Sequence, residues 1–163
     1  MAAKKSTVKQ AAKLEFVEQM GSLFEQFGGP RMSGRIVGWL MICEPELQTA
    51  AQLAEILKAS KGSISTMTRQ LVQMQSIERI KKPGERAAYF CFARRPMSEV
   101  MARRMAMFAQ LEKLTADGLE LLADATEERR EPLQQLHDFH QFMRGEMTKV
   151  VQRWERSQAK GSK

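Results

Sequence analysis

The segment Thr49-Ala-Ala-Gln-Leu-Ala-Glu-Ile-Leu-Lys-Ala-Ser-Lys-Gly-Ser-Ile-Ser-Thr-Met-Thr-Arg-Gln-Leu-Val72 constrains the fold of this chain more than any other. Leu53, Leu57, Ala59, Ile64 and Met67 recur at the spacing that locks two short helices at a steep angle around a tight turn. Small Ala54 falls where the two helices must approach closely. Thr49 is placed to cap the first of them, with Gln52 at the capping-box position, and Ser60 to cap the second. Next, Ser76-Ile-Glu-Arg-Ile-Lys-Lys-Pro-Gly-Glu-Arg-Ala-Ala-Tyr-Phe-Cys-Phe92 reads as strand, basic turn, strand, with Pro83-Gly84 as its turn. A helix-turn-helix followed by a hairpin is a winged helix.

Helices surround this motif. Residues 1–10 are small and basic and read as a flexible arm. Leu14, Val17, Met20, Phe24 and Phe27 then recur at three- and four-residue steps until Gly28-Gly29-Pro30 stops them. Pro30 suits the start of a second helix, Arg31 to Cys43, which is apolar nearly all round and therefore central; Pro45 closes it. A long helical pattern runs from Met97 to Ala123. After an acidic turn, with Pro132 placed to open the next helix, Leu136, His140, Met143, Met147, Val150 and Trp154 form a heptad-like seam. The expected fold is mainly α with a small β-hairpin wing. It is divided into the arm, a DNA-binding domain over 11–95, dimerisation helices over 96–157 and a disordered tail over 158–163.

The charge distribution points to a polyanionic partner. The chain carries Lys+Arg 26 against Asp+Glu 19, a net +7, and a pI near 9.7. Between Lys58 and Arg86, seven basic residues (Lys58, Lys61, Arg69, Arg79, Lys81, Lys82, Arg86) face two acidic ones, Glu78 and Glu85, whereas Asp117 to Glu131 is acidic. Cys43 and Cys91 have no CxxC or Cys/His companions, which argues against a disulfide framework or zinc site. His137 and His140 lack a third ligand, so no metal is expected. No apolar run approaches a membrane span and no signal-peptide core opens the chain, so a reduced, cytoplasmic protein is expected, without a membrane partner. No Gly-rich phosphate loop, Ser-centred elbow or hydrolytic metal motif points to an enzyme, and no cofactor is implied.

Projecting the second motif helix at 100° per residue puts Ile64, Met67, Thr68 and Leu71 on its core side. Gly62, Thr66, Arg69 and Gln73 fall opposite, with Ser63, Ser65 and Gln70 on the flanks. Arginine can pair with guanine and glutamine with adenine in a major groove, while Ser and Thr reach phosphates or base edges. The candidate DNA contacts are therefore Ser60, Lys61, Gly62, Ser63, Ser65, Thr66, Arg69, Gln70 and Gln73 on the helix and Lys81, Lys82 and Arg86 on the wing. Arg69 is the leading base reader, and Lys61 a phosphate contact. The rival readings are a non-specific architectural DNA binder and a winged-helix protein adaptor. The adaptor would present a neutral or acidic face, and this face is basic and polar.

The chain resembles the MarR superfamily, and within it the GbsR-like branch. The residues that carry the likeness are Phe27-Gly-Gly-Pro-Arg-Met-Ser-Gly-Arg-Ile-Val-Gly-Trp-Leu-Met-Ile-Cys43, Ala51-Gln-Leu-Ala-Glu, Ser60-Lys-Gly-Ser-Ile-Ser, Ile77-Glu-Arg and Pro83-Gly-Glu-Arg86. They lie between about residue 14 and residue 95; beyond Pro96 only the pattern of two long helices matches. The resemblance implies a homodimeric transcriptional regulator, a repressor on a pseudo-palindromic operator. Its N- and C-terminal helices would form the interface, including Leu136, His140, Met143, Met147, Val150 and Trp154. It also implies a small-molecule site, of the kind found in choline-responsive relatives, for which the aromatic Phe24, Phe27 and Trp39 are the candidates. Lys58 departs from the glycine common at such a turn, where a left-handed backbone costs roughly 1 kcal/mol.

Overall fold

The computed structural model describes residues 2–95 and 97–161. The chain falls into two units, Met1–Arg94 and Arg95–Lys163. In the first, α1 (Ala2–Gln26) and α2 (Arg31–Ile42) precede β1 (Gln48–Thr49), α3 (Ala50–Ile56), α4 (Lys61–Gln73), β2 (Ile77–Lys81) and β3 (Ala88–Phe92). The second holds α5 (Met97–Leu121) and α6 (Glu127–Gly161).

The wing is a three-stranded antiparallel sheet, order β1-β3-β2, with Arg79 opposite Phe90 and Gln48 opposite the same Phe90 from the other side. The hairpin alone was expected. β1 is two residues long and ends on Thr49, whose side chain also caps α3, so it carries no alternation to read. The caps follow the sequence expectation. Gln52 N–H donates to Thr49 Oγ1 at 3.2 Å while Thr49 N–H donates to Gln52 Oε1 at 2.7 Å, a capping box. Ser63 N–H donates to Ser60 Oγ at 3.1 Å at the start of α4.

Three helices end alike. Gly28, Lys58 and Gln75 take left-handed backbone at φ 76, 48 and 58. Around Lys58, Ala59 N–H donates to Ala54 O at 2.9 Å and Lys58 N–H to Glu55 O at 3.2 Å, the double bond of a Schellman cap. The turn therefore sits at Lys58, without its glycine.

Val17, Ile36, Leu53, Leu57, Ile64, Leu71 and Ile77 are fully buried together, with Trp39, Leu40 and Phe90 beside them. α2 runs through the middle, as its all-round apolar sequence requires. It lies so close to α1 that a Cβ on Gly34 would sit 2.3 Å from Met20 O.

Three expected boundaries shift. The basic arm forms the opening turns of α1, since its Ala, Lys and Gln residues are strong helix formers and join the amphipathic stretch without a breaker. The tail likewise continues α6 through Gly161, and residues 162–163 lie outside the described residues. α6 begins at Glu127 rather than at Pro132: Arg129 and Arg130 N–H both donate to Thr126 O at 3.1 Å, and Glu127 and Glu128 favour the positive end of the helix. Pro132 sits inside, leaving Glu128 O without its usual donor.

Within the second unit α5 and α6 pack antiparallel. Thr115 Oγ1 lies 3.1 Å from His137 Nδ1, Arg144 pairs with Glu112 at 2.6 Å, and Phe108 stacks against His140 at 6.0 Å between centroids.

Candidate nucleic-acid interface

α4 presents two contrasting sides. Ile64, Thr68 and Leu71 are buried, and Thr68 donates its hydroxyl to Ile64 O at 2.8 Å, which lets a polar side chain sit in the core. Lys61, Gly62, Ser65, Thr66, Arg69, Gln70 and Gln73 are exposed, and Ser63 is half-buried. The outward side thus offers a cation in the first turn, two hydroxyls, a second cation and two amides. Ser60 spends a lone pair on its cap and keeps its O–H proton for an outside acceptor. Gly62 opens a close approach: a Cβ there meets only Ser60 Oγ, at 4.0 Å.

The wing tip is clasped from within. Lys82 Nζ lies 4.4 Å from the centre of the Tyr89 ring, and the Tyr89 hydroxyl donates to the Glu85 carboxylate. That bond holds the phenol above its ordinary pKa, because losing the proton would set two negative charges together. Of the three wing residues singled out in the sequence, Lys81 and Arg86 are exposed and, among the described residues, make no side-chain hydrogen bond or ion pair. Lys82 is half-buried on Tyr89.

Arg79 was counted among the basic residues but not as a contact. It lines a cavity of about 310 Å³ with Ser65, Thr68, Arg69, Val72 and Phe90, between α4 and the sheet. The signal was present in strand alternation, since Arg79 shares a face with buried Ile77, but the partner helix could not be read locally.

The effector candidates differ in burial within their unit. Trp39 is buried with its indole N–H unpartnered, and Phe24 packs on the core. Phe27, expected on the apolar face of α1, lies past its last residue and is 84% exposed. Burial raises the thiols of Cys43 and Cys91 above the ordinary cysteine value and so disfavours the reactive thiolate. Among the described residues no three His, Cys, Asp or Glu side chains are grouped for a metal. No described helix is long and apolar enough to cross a membrane.

The expected seam on α6 divides. His140 turns into the contact with α5, buried against Phe108 and Phe139, because an imidazole flanked by two rings fills that contact. Leu136, Val150 and Trp154 are exposed, and Met143 and Met147 half-buried.

The sequence model of MmpR5-like MarR family transcriptional regulators matches residues 96–157, the part where the sequence likeness was weakest. The HTH-type transcriptional regulator MmpR5 of Mycobacterium tuberculosis is 37% identical over 141 residues, 86% of this chain and 86% of that protein. The crystal structure of a transcriptional regulator matches 89% of this chain and 99% of its own at 37% identity, with a TM-score of 0.75.

Proposed function

This chain belongs to the MarR family of transcriptional regulators, and we propose that it is a sequence-specific DNA-binding repressor that acts as a homodimer on a pseudo-palindromic operator. The observation that carries the DNA contact is the outward face of α4. A capped helix start with Lys61 and an open Gly62 leads into Ser65, Thr66, Gln70 and Gln73, beside a wing with Lys81 and Arg86 exposed. Such a helix enters a major groove, with the wing on the flanking backbone. We assign base reading to its hydroxyls and amides, and backbone contacts to Ser60, Lys61, Ser63, Lys81, Lys82 and Arg86.

The homodimer rests on an apolar face of the second unit. Met107, Leu114 and Leu121, seven residues apart on α5, are exposed, each one position before an α6-facing residue or its heptad equivalent. On α6, Leu136 and Phe139 stand one position before His137 and His140, which face α5. In an antiparallel pair, positions one residue before the contact row lie on the same side of both helices, so the two rows form one surface, extended by Val150 and Trp154. Soluble monomers rarely keep such a surface bare. A dimer places two α4 helices on half-sites about one helical turn apart and multiplies affinity.

Release by a small molecule completes the proposal. Choline-like cations, which the GbsR-like resemblance implies, are the first probes, and Phe24, Phe27 and Trp39 the region to test. An effector releases DNA only if it binds the DNA-free conformation better. Selection of bound fragments from random duplexes tests the whole reading. A recovered inverted repeat supports it, and equal recovery of all sequences with a steep salt dependence would replace it with an architectural binder.

A further inference from the structure

We infer that the cleft between α4 and the β2–β3 sheet seats a phosphate group of the duplex backbone, gripped jointly by Arg69 and Arg79. This rests on the DNA-binding reading above and changes the role of Arg69 within it, from base reader to backbone clamp.

Two arginines from separate elements line one cavity with the exposed hydroxyl of Ser65, over a floor of Thr68, Val72 and Phe90. Among the described residues no acidic side chain lines it. Neither Arg69 nor Arg79 forms an ion pair among the described residues. The placement follows from the fold. Arg69 lies one helical turn beyond Ser65 on α4. Arg79 stands opposite buried Phe90 in the ladder, on the same face of β2 as buried Ile77, and so points toward α4. Thr68 has given its proton to Ile64 O and contributes no competing donor.

Two like charges brought together without a counter-ion repel, and a partly enclosed cleft focuses their field. An oxyanion removes that cost and accepts from both guanidinium forks, a geometry that matches phosphate oxygens. A base edge is planar and lies deep in the groove, whereas a backbone phosphate projects at its rim, where the sheet edge meets α4. The clamp fixes the register of the helix and leaves sequence reading to Thr66, Gln70 and Gln73.

The test uses the full chain and anisotropy titrations at several salt concentrations with both the selected duplex and an unrelated one. Arg79→Ala, and Arg79→Gln as a second variant, should weaken both duplexes by the same factor, roughly tenfold. The salt slope should fall by about one per bound chain. Because one phosphate is shared, the Arg69→Ala, Arg79→Ala double variant should lose no more than that one unit; a loss of about two would show independent contacts and overturn the clamp. An unchanged slope in the Arg79 variants, or a loss confined to the selected duplex, would overturn it as well. In a second arm, inorganic phosphate is titrated into the DNA-free chain while the Nε resonances of Arg69 and Arg79 are followed. Both should move together, and Arg79→Gln should abolish the response of Arg69. Movement on inorganic phosphate with no change of slope on DNA would overturn the duplex as the source and leave a free oxyanion. A wild-type chain that binds no duplex at low salt would sink the DNA-binding reading itself; the phosphate arm then still decides whether the cleft holds an oxyanion.

Discussion

Arg35 donates from Nη2 to the main-chain oxygen of Leu57 at 2.8 Å, and its Nε lies 2.8 Å from Glu18 Oε1 in an ion pair. Leu57 is the last residue before the left-handed Lys58, so one side chain on α2 ties α1 to the turn that aims α4. Its side chain is 19% exposed, which leaves water little access to replace it. Arg35→Met should lower the unfolding free energy by about 1.5–3 kcal/mol, the scale for a charge-assisted hydrogen bond left without its donor. Arg35→Lys should recover part of it. Urea denaturation measures both, and a loss under roughly 0.5 kcal/mol would remove the strut from the account.

Glu18 gives the same junction a pH dependence. Its carboxyl is held below the ordinary glutamate value, first by the hydrogen bond from Arg31 at 2.9 Å and further by the charge of Arg35, with burial opposing. A carboxyl lowered in the folded state contributes stability above its unfolded pKa and loses it as pH falls through the folded one. Glu18→Gln should therefore melt below wild type near neutral pH, and the gap should narrow and then close as pH falls from the ordinary glutamate value through the lowered one. A gap constant across that range would mean that the charge of Glu18 has no part in it.

Two glycines should respond in opposite ways. A Cβ on Gly34 would meet Met20 O at 2.3 Å and Gly21 Cα at 2.9 Å, both backbone, so Gly34→Ala must push α1 and α2 apart. It should cost about 1–3 kcal/mol or more. A Cβ on Gly62 meets only Ser60 Oγ, at an ordinary 4.0 Å, in the first turn of α4, so Gly62→Ala should stabilise the fold by about 0.5–1 kcal/mol. The same methyl group would stand where DNA comes closest, so the variant should bind duplex more weakly while melting higher. Unchanged duplex affinity in Gly62→Ala would show that the helix start does not approach the backbone.

Local rules reached the features that are locally encoded. Thr49 with Gln52, Ser60, Gly28 and the Pro83-Gly84 turn were legible because a cap or turn is decided by residues three or four apart. Lys58 was legible as a misfit only through the resemblance, since it stands where such a turn commonly has glycine. Gln75 ends α4 in the same way and gave no signal, because the conformation is imposed by the Schellman bonds around it: Ser76 N–H to Leu71 O at 2.9 Å and Gln75 N–H to Val72 O at 2.9 Å. Of the candidate interface, the two sides of α4 followed from a 3.6-residue period. The convergence of Arg79 on Arg69 and the turn of His140 toward Phe108 depend on which element packs against which, and a periodicity taken one element at a time does not contain that.

The face shared by α5 and α6 separates the homodimer from the hairpin that carries it. Leu114 is 66% exposed and Val150 44%, and neither makes the α5–α6 contacts formed by Thr115, His137, Glu112 and Arg144. Leu114→Asp with Val150→Asp should leave the helical content unchanged while placing buried, unpaired charge in any contact between copies. The wild-type chain should sediment as a dimer at micromolar concentration and the double variant as a monomer, with duplex affinity falling because the second half-site is lost. His140→Leu supplies the contrast. Its ring is buried against Phe108 with Nδ1 unpartnered, so an apolar side chain of similar reach should hold or raise the melting temperature and leave sedimentation unchanged. A wild-type monomer at these concentrations would refute the dimer. A double variant that stays dimeric would move the interface off this face, and a His140→Leu variant that dissociates would return that residue to the seam where the heptad spacing first put it.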